Sequence, residues 1–186
     1  MARPLMVVSR GADMKIVQWV RFTWDLNDLA APGVVLPEHY HFAPVRPTEE
    51  KELRALVTRS FAHDSSWGES IHEVNALLEG WLERAFLPET PALCLALRHG
   101  ARMIGTSIVL PNPTAEDHLV PGPCVQMEYR NRGLGTALLG ESLRQLREAG
   151  LDRAVATAKS NGPVARYLYP QFNGVVVPGT SPLLAA

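Results

Sequence analysis

The chain has little cysteine, few lysines and no long apolar run. Its two cysteines, Cys94 and Cys124, lie in apolar, strand-like segments without neighbours at zinc-ligand spacing. We therefore expect buried free thiols in a reducing, cytoplasmic environment, with no disulfide framework and no metal site. No apolar segment approaches the length of a membrane span, and the first residues lack the apolar region of a signal peptide.

An excess of charge of one sign is also missing, since 18 basic residues face 19 acidic ones and the formal net charge is −1. This balance gives no reason to expect nucleic acid or an anionic membrane as a partner. With 46% apolar and 20% charged residues, the 186-residue chain can bury an ordinary core. We predict one domain over residues 38–186, preceded by an N-terminal arm with an added strand over residues 1–37.

The most informative segment covers residues 125–139, which read as a strand end, a basic loop with two glycines and the start of a helix. The apolar residues of that helix recur at helical spacing, at Leu134, Leu138, Leu139, Leu143 and Leu146. Gly133 and Gly135 leave backbone N–H groups open at the positive end of the helix dipole. Together with Arg130 and Arg132, these donors predict a site for a phosphate or diphosphate.

Other interpretations of this loop exist. The glycines could simply allow the strand and the helix to pack closely. A dinucleotide-binding Gly-x-Gly-x-x-Gly fingerprint fits poorly, because Leu138 stands where its third glycine is required.

The loop Arg130-Asn131-Arg132-Gly133-Leu134-Gly135 resembles the Arg/Gln-x-x-Gly-x-Gly/Ala motif of the GNAT superfamily of N-acetyltransferases. The resemblance extends over about residues 39–177 in the order of elements. It implies an α/β GNAT fold with a mixed central sheet splayed between its fourth and fifth strands, helices on both faces and here an extra N-terminal strand. It also implies acetyl-coenzyme A as cosubstrate and direct transfer of its acetyl group to a primary amine of an acceptor.

The resemblance further implies that backbone groups of the loop grip the diphosphate of acetyl-coenzyme A. Donors at the end of the preceding strand would hold the pantetheine arm and the thioester oxygen. The residues implied in cofactor binding are Val125, Met127, Arg130, Arg132, Gly133, Leu134, Gly135, Thr136 and Asn161.

A second segment resembles the family signature Asn-x-x-Ala-x-x-x-Tyr followed by Gly-Phe. Asn161, Ala165 and Tyr169 supply its residues, although one extra residue separates the first two. Asn173-Gly174 stands where Gly-Phe is usual, and Asn173 can adopt the left-handed conformation that glycine supplies.

The resemblance implies two catalytic side chains. Tyr169 matches the acid that protonates the departing thiol, whereas Tyr167 would point elsewhere on a helix. His118, with Asp117 beside it, lies at the start of the fourth strand, where some family members place a base that acts through water. The loop at residues 62–69 would shape the acceptor site.

Prolines mark the strand that precedes the glycine loop. Pro121 and Pro123 lie two apart in a strand over residues 118–126, so both lack an N–H donor on the same edge. We predict that this edge is unpaired and faces the gap between the splayed strands.

The two ends of the chain raise the question of how the sheet closes. Residues 15–24 are β-branched and aromatic, and we predict an extra edge strand or a dimer contact there. The closing strand at residues 175–177 is short. The missing sheet edge could be filled by the N-terminal strand or by a second subunit, which makes a homodimer possible.

More local signals predict a β-hairpin and two helix caps. Residues 92–97 and 102–110 read as strands around a His99-Gly100 turn. Thr48 and Ser70 are expected to cap the two helices that precede this hairpin.

The resemblance leaves a second class of function open. A domain that binds acyl-coenzyme A without turnover, as a sensor or assembly module, would fit the irregular spacing before Tyr169 and the lack of an obvious base. A fold that binds a phosphate ligand without acyl transfer is a third alternative. Binding of coenzyme A compared with NAD and ATP distinguishes the third from the first two.

Overall fold

A computed structural model describes residues 5–6, 16–17, 19–30, 35–63, 71–87 and 92–177. Its strands are β1 (Leu5–Met6), β2 (Ile16–Val17), β3 (Trp19–Asp25), β4 (Tyr40–Pro44), β5 (Leu93–His99), β6 (Arg102–Val109), β7 (Cys124–Val125), β8 (Arg153–Lys159) and β9 (Val175–Val177). Its α-helices are α1 (Glu50–Ala62), α2 (Ile71–Ala85) and α3 (Leu134–Glu148). Short helical turns occupy Pro47–Glu49, Met127–Tyr129, Val164–Leu168 and Tyr169–Phe172.

Four strands form one antiparallel sheet in the order β4-β5-β6-β7. β5 and β6 are the predicted hairpin, and Gly100 in its turn has a φ of 57°, a left-handed conformation that glycine adopts without strain. Every side chain from Met103 to Val109 is buried, on both faces of β6. The predicted hairpin is therefore confirmed.

A second antiparallel sheet has the order β8-β3-β9, with the N-terminal strand β3 at its centre. β3 pairs with β8 from Trp19 to Asp25 and with β9 from Arg21 to Thr23. The prediction of an edge strand or dimer contact was therefore wrong, because both sides of β3 are taken by strands of the same chain. The short β9 pairs with the N-terminal strand β3.

The two sheets meet at His118. Its N–H donates to Val155 O of β8 (2.7 Å), and the neighbouring Leu119 bridges to Val109 of β6. Within the described residues, the backbone hydrogen bonds of residues 119–126 to other strands all go to β6. The strand predicted over residues 118–126 was wrong in extent, because only Cys124–Val125 forms a strand and the C=O of Pro121 accepts from the N–H of Ile108 on β6 (3.1 Å). The predicted gap between splayed strands stays a prediction.

Helices cover both faces of the four-stranded sheet, as predicted. α1 and α2 pack on one face through leucines such as Leu53 and Leu82. α3 packs Leu134 and Leu138 against the other face, and the rest of its apolar stripe continues onto the sheet of β8 and β3. Each fully buried leucine contributes about 1.5–3 kcal/mol. The beginning of α3 is thereby held at the junction of the two sheets.

The predicted cap at Thr48 was wrong. A short turn begins at Pro47, and Glu49 returns a carboxylate oxygen to the N–H of Arg46 (2.9 Å) before α1 starts at Glu50. The same carboxylate accepts two 2.8 Å bonds from Nη2 of Arg98, which is buried on β5. The helix start is therefore tied to the sheet by an ion pair. The predicted cap at Ser70 lies outside the described residues.

This ion pair predicts an acid-sensitive contribution to stability. Hydrogen bonds from the side chain and backbone of Arg46, helped by Arg98, lower the pKa of Glu49 to about 2. A carboxyl whose pKa is lowered by folding stabilises above its ordinary value of 4.5 and loses that effect as the pH falls towards 2. We expect Glu49→Gln to lower the melting temperature at pH 7 by a few degrees, with the difference closing between pH 4.5 and 2. Glu38→Gln, at an exposed site, is the control, and a pH-independent difference for Glu49→Gln would contradict this account.

Candidate functional site

The first turn of α3 presents open backbone donors. Gly133 is the N-cap residue, and its carbonyl oxygen accepts the first helical hydrogen bond, from Ala137 (3.0 Å). The N–H groups of residues 133–136 have no partner within the helix, and no side chain caps them in the described part of the chain. These donors lie at the positive end of a 15-residue helix, so they can bind an anion.

The two glycines of this turn have different roles. Gly133 has a φ of 75°, which side chains rarely tolerate, so glycine is needed for the conformation itself. Gly135 is in open space, because a Cβ built there would meet nothing within 4 Å. An alanine therefore fits at Gly135 as the helix stands, whereas a longer side chain would cover the open donors.

The two arginines of the loop have different surroundings. Arg130 donates from Nε to Val125 O (3.0 Å) and from Nη2 to Ser60 O at the end of α1 (2.6 Å). Its guanidinium therefore ties the loop to β7 and α1, a use that the expected phosphate contact did not include. Arg132 is exposed, its Nη2 donates to Glu128 O within the same loop (2.9 Å), and its guanidinium lies 5.5 Å from the centroid of the Tyr129 ring. It is the arginine of this pair whose charge faces solvent beside the helix start.

β7 directs one amide away from its sheet. Gln126 donates its N–H to Ile104 O on β6 (2.9 Å), and neighbouring N–H groups of a strand point to opposite edges. The N–H and C=O of Val125 therefore face the edge that adjoins β8 at His118, and the C=O is the one that Arg130 holds. Met127, the next expected contact, is 57% exposed at the start of a short turn.

Tyr169 is buried with its hydroxyl against Gly122, in the proline-containing segment before β7. It is 2% exposed, and a Cβ built on Gly122 would lie 2.7 Å from the hydroxyl oxygen. Burial raises the pKa of Tyr169, and the negative charge of Asp117 adds to this effect. Tyr169 is therefore protonated throughout the neutral range. Tyr167 is 66% exposed and points elsewhere, as predicted.

His118 is 3% exposed and uses its ring to join the two sheets. Val155 donates its N–H to Nδ1 (3.0 Å), and the buried Nε2 has no hydrogen-bond partner in the described part of the chain. Burial lowers the pKa of His118 and favours the neutral ring. Because Nδ1 accepts the bond from Val155, the proton of the neutral ring lies on Nε2. This geometry does not favour the expected role as a base, because neither nitrogen offers a free lone pair.

The neutral His118 predicts a second pH effect. Its folded pKa lies below the ordinary value of 6.5, so the unfolded chain takes up a proton first and stability falls as the pH drops through 6.5. His118→Asn keeps an acceptor near the Nδ1 position but does not titrate. We expect its destabilisation, measured by urea unfolding, to be larger at pH 7.5 than at pH 5.5. The difference cannot change faster than about 1.4 kcal/mol per pH unit for one proton. An equal penalty at both pH values would contradict a buried neutral ring.

The other predicted residues lie at the borders of the site. Thr136 donates its hydroxyl to Gln171 Oε1 (3.3 Å), which links the first turn of α3 to the segment around Tyr169. Asn161 is exposed in the turn after β8. Asn173 has a φ of 59°, the predicted left-handed conformation.

Three residues of this site were missed by the sequence analysis. Gly122 has no side chain at the place where the Tyr169 hydroxyl lies. The only sequence signal for Gly122 was its position between Pro121 and Pro123. Ser60 and Gln171 contact the loop through long-range bonds that have no local signal.

Most of the predicted acceptor loop lies outside the described residues. Of residues 62–69, only those up to His63 are described.

Among the described residues, no group of three or more His, Cys, Asp or Glu could hold a metal ion. In the same part of the chain, no helix has the length and apolar character needed to cross a membrane.

Comparisons with known proteins identify the family. The model of the Acetyltransferase (GNAT) family matches residues 52–174, more than half of the chain. No curated protein matches the chain significantly. Members of the GNAT family use acetyl-coenzyme A.

Several solved structures share the fold. A Drosophila protein has a TM-score of 0.56 at 14% identity, covering 87% of this chain and 48% of its own. GCN5-related N-acetyltransferases from Sphaerobacter thermophilus and Kribbella flavida have TM-scores of 0.56 and 0.51 at 18% and 17% identity, covering 87% and 88% of this chain. This chain spans 49% and 59% of their lengths. These identities show the fold alone, while the match of the family model shows the family. The chain belongs to the GNAT family of acetyltransferases.

Proposed function

We propose that the protein is an acetyl-coenzyme A-dependent N-acetyltransferase that moves an acetyl group directly to a primary amine of a small molecule, peptide or protein. The observation that carries this proposal is the set of open N–H donors at residues 133–136, beside the outward N–H of Val125. A diphosphate fits the first set because it is anionic and needs several donors at close approach. A thioester oxygen fits the second because it needs a single aligned donor.

In this proposal, the cofactor is bound mainly by the backbone. The N–H groups of residues 133–136 hold the diphosphate, and Arg132 adds a positive charge at the rim. Arg130 acts by fixing the loop, since its guanidinium donates to two backbone oxygens. Met127 and Asn161 complete the expected contacts along the pantetheine arm and at the turn after β8.

The bound cosubstrate supplies an activated acetyl group, and the chain supplies orientation and hydrogen bonds. The N–H of Val125 would stabilise negative charge on the thioester oxygen as the amine attacks. The Tyr169 hydroxyl would donate to the departing sulfur. Since a thiol has a pKa near ~8.5 and burial raises that of Tyr169, complete proton transfer from Tyr169 is uphill. Its contribution is therefore a hydrogen bond to the sulfur, and the proton released by the amine finally balances the thiolate.

We assign the base, acting through water, to Asp117 in place of His118. Burial raises the pKa of the Asp117 carboxyl, while a 2.8 Å hydrogen bond from Thr157 opposes the shift. A raised pKa makes this carboxylate a better base for an ammonium. We expect Asp117→Asn to lower kcat/KM for the amine at least ~10-fold at pH 7, with the loss shrinking at higher pH as the free amine becomes abundant. Unchanged kcat/KM at pH 7 would exclude this role.

Release of free thiol from acetyl-coenzyme A in the presence of a panel of amines tests the function. Turnover that requires an amine supports an acetyltransferase. Coenzyme A binding without release under any amine supports the alternative, a non-catalytic acyl-coenzyme A sensor or assembly module. Preference for NAD or ATP over coenzyme A in calorimetry would overturn both.

A homodimer through the C-terminal edge and a cytoplasmic location stay predictions. β9 is an edge strand, and Val175 and Val176 are 62% and 46% exposed on it. This is the edge that a second copy would cover, since β3 is already paired on both sides. We expect Val176→Asp to shift a dimer towards monomer in light scattering, and a wild-type monomer at high concentration would contradict the dimer.

Two free cysteines fit a reducing compartment.

A further inference from the structure

The strand β3 lies outside the residues that the family model matches, yet it contacts Tyr169. The model covers residues 52–174, and β3 covers Trp19–Asp25. Phe22 and Trp24 alternate onto one face of β3, where they are 3% and 1% exposed. Both belong to the apolar cluster that also contains Tyr169.

The contacts with Tyr169 are made by aromatic edges and faces. The ring centroid of Tyr169 lies 5.2 Å from that of Phe22, with the planes at 77°. It lies 4.8 Å from the centroid of the Trp24 ring, at 84°. Both are edge-to-face arrangements in the preferred range of distance and angle. Each contact therefore restricts the tilt as well as the position of the Tyr169 ring.

The backbone around Tyr169 gives little support of its own. Tyr169 is the first residue of the second of two consecutive short helical turns and is followed directly by Pro170, so no long regular helix fixes its direction. On the far side, the hydroxyl meets Gly122, where even a Cβ would come within 2.7 Å. Tyr169 is therefore confined from two directions, by the Phe22 and Trp24 rings of β3 and by Gly122 at its hydroxyl.

Gly174 packs closely against both Trp24 and Tyr169. A Cβ there would lie 2.7 Å from Nε1 of Trp24 and 2.7 Å from the carbonyl oxygen of Tyr169. The backbone after Tyr169 therefore closes directly over the Trp24 indole. This close approach joins the strand, the indole and the Tyr169 turn into one packed unit.

We propose that Phe22 and Trp24 are positioning residues that hold the Tyr169 hydroxyl at Gly122, so that the N-terminal strand completes the active site. This inference rests on the proposed function, because it gives these residues a role through Tyr169. It goes further in assigning part of the catalytic apparatus to a strand that the family model does not include.

The kinetic test compares core variants that remove a ring contact with Tyr169 with a variant of the same cluster that does not. We expect Phe22→Leu and Trp24→Leu to lower kcat about 10-fold while the Kd for coenzyme A stays within about twofold, because a small displacement of a reacting group costs rate more than binding. Trp24→Phe keeps an aromatic edge and should recover most of the loss. Leu143→Ala is the matched control, since Leu143 is buried in the same cluster on α3. It should lower the melting temperature at least as much without lowering kcat.

A double-mutant cycle separates positioning from general destabilisation. If Phe22 acts through the hydroxyl, Phe22→Leu should leave kcat nearly unchanged in a Tyr169→Phe background. An equal loss in both backgrounds, or a loss in Leu143→Ala as large as that in Phe22→Leu, would overturn the proposal.

A spectroscopic readout keeps the inference testable if the proposed reaction fails. Nuclear Overhauser effects between the Tyr169 ring protons and Gly122, which lies against the Tyr169 hydroxyl, should weaken in Trp24→Leu and Phe22→Leu but persist in Leu143→Ala. Undiminished effects in the two leucine variants would overturn the positioning role. Weakened effects in a protein that releases no thiol would leave the positioning intact and refute only the acetyltransferase function.

Discussion

Aspartate at either glycine of the loop should reduce affinity for coenzyme A by about 100-fold or more, which corresponds to about 2.7 kcal/mol. Gly133→Asp introduces a side chain at a φ of 75° and places a carboxylate beside the open donors. Gly135→Asp places the same charge in the first turn of α3, where it competes with the diphosphate for the N–H groups. Isothermal titration calorimetry with coenzyme A at fixed ionic strength measures the change.

Gly135→Ala is the matched control for this prediction. A Cβ at that position meets nothing within 4 Å, and alanine is a better helix former than glycine by about 1 kcal/mol. We therefore expect a rise in melting temperature with affinity for coenzyme A within a few-fold of the wild type. Intact affinity in both aspartate variants would remove the loop from the binding site.

Tyr169→Phe should lower kcat about 100-fold while KM for acetyl-coenzyme A changes little. The substitution removes only the hydroxyl, and a hydrogen-bond donor to the charge that develops in a transition state contributes typically ~10²–10³-fold in rate. The surrounding aromatic contacts are retained, so the fold should be as stable as that of the wild type. Steady-state thiol release with a saturating amine measures the effect.

The pH dependence of the wild-type rate tests whether the Tyr169 hydroxyl ionises near neutral pH. Burial and nearby negative charge raise its pKa, so the hydroxyl does not ionise in the neutral range. We expect no loss of rate from tyrosinate formation up to pH 9. A limb below pH 9 that is absent in Tyr169→Phe would show that the hydroxyl ionises more easily than its burial implies. A kcat unchanged in Tyr169→Phe would end its catalytic assignment.

The loop and the helix that follows were predictable because their signals are local. A left-handed residue before a helix requires glycine or a close substitute, and the apolar spacing after Gly133 specifies which face is buried. Gly133 at the N-cap and the buried stripe of α3 match these expectations. The same holds for the hairpin turn at Gly100.

The position of β3 was not predictable from its own residues. Alternating Phe22 and Trp24 against Arg21 and Thr23 identifies a strand, but the pattern does not specify which strands lie beside it. Pairing with β8 joins residues about 130 positions apart in sequence, as in the hydrogen bond from Thr23 Oγ1 to Ala154 O. Only the assembled sheet decides whether such a strand lies at an edge or in the centre.

The roles of individual polar side chains also depended on distant partners. Arg130 was expected to face a phosphate, but Ser60 O, 70 positions away, accepts from its guanidinium. His118 was expected to be a base, but the N–H of Val155 occupies its Nδ1. A sequence motif specifies the type of residue at a site, whereas the lone pairs and protons left free depend on what packs against it.

The central claim is that backbone donors at residues 133–136 hold the diphosphate of an acyl carrier. Titration of the ¹⁵N-labelled protein with coenzyme A, followed by amide chemical shifts, tests it most directly. We predict that the largest changes occur at Leu134, Gly135 and Thr136, with a further change at Val125. Saturable binding that leaves these amides unmoved while other residues shift would contradict the claim.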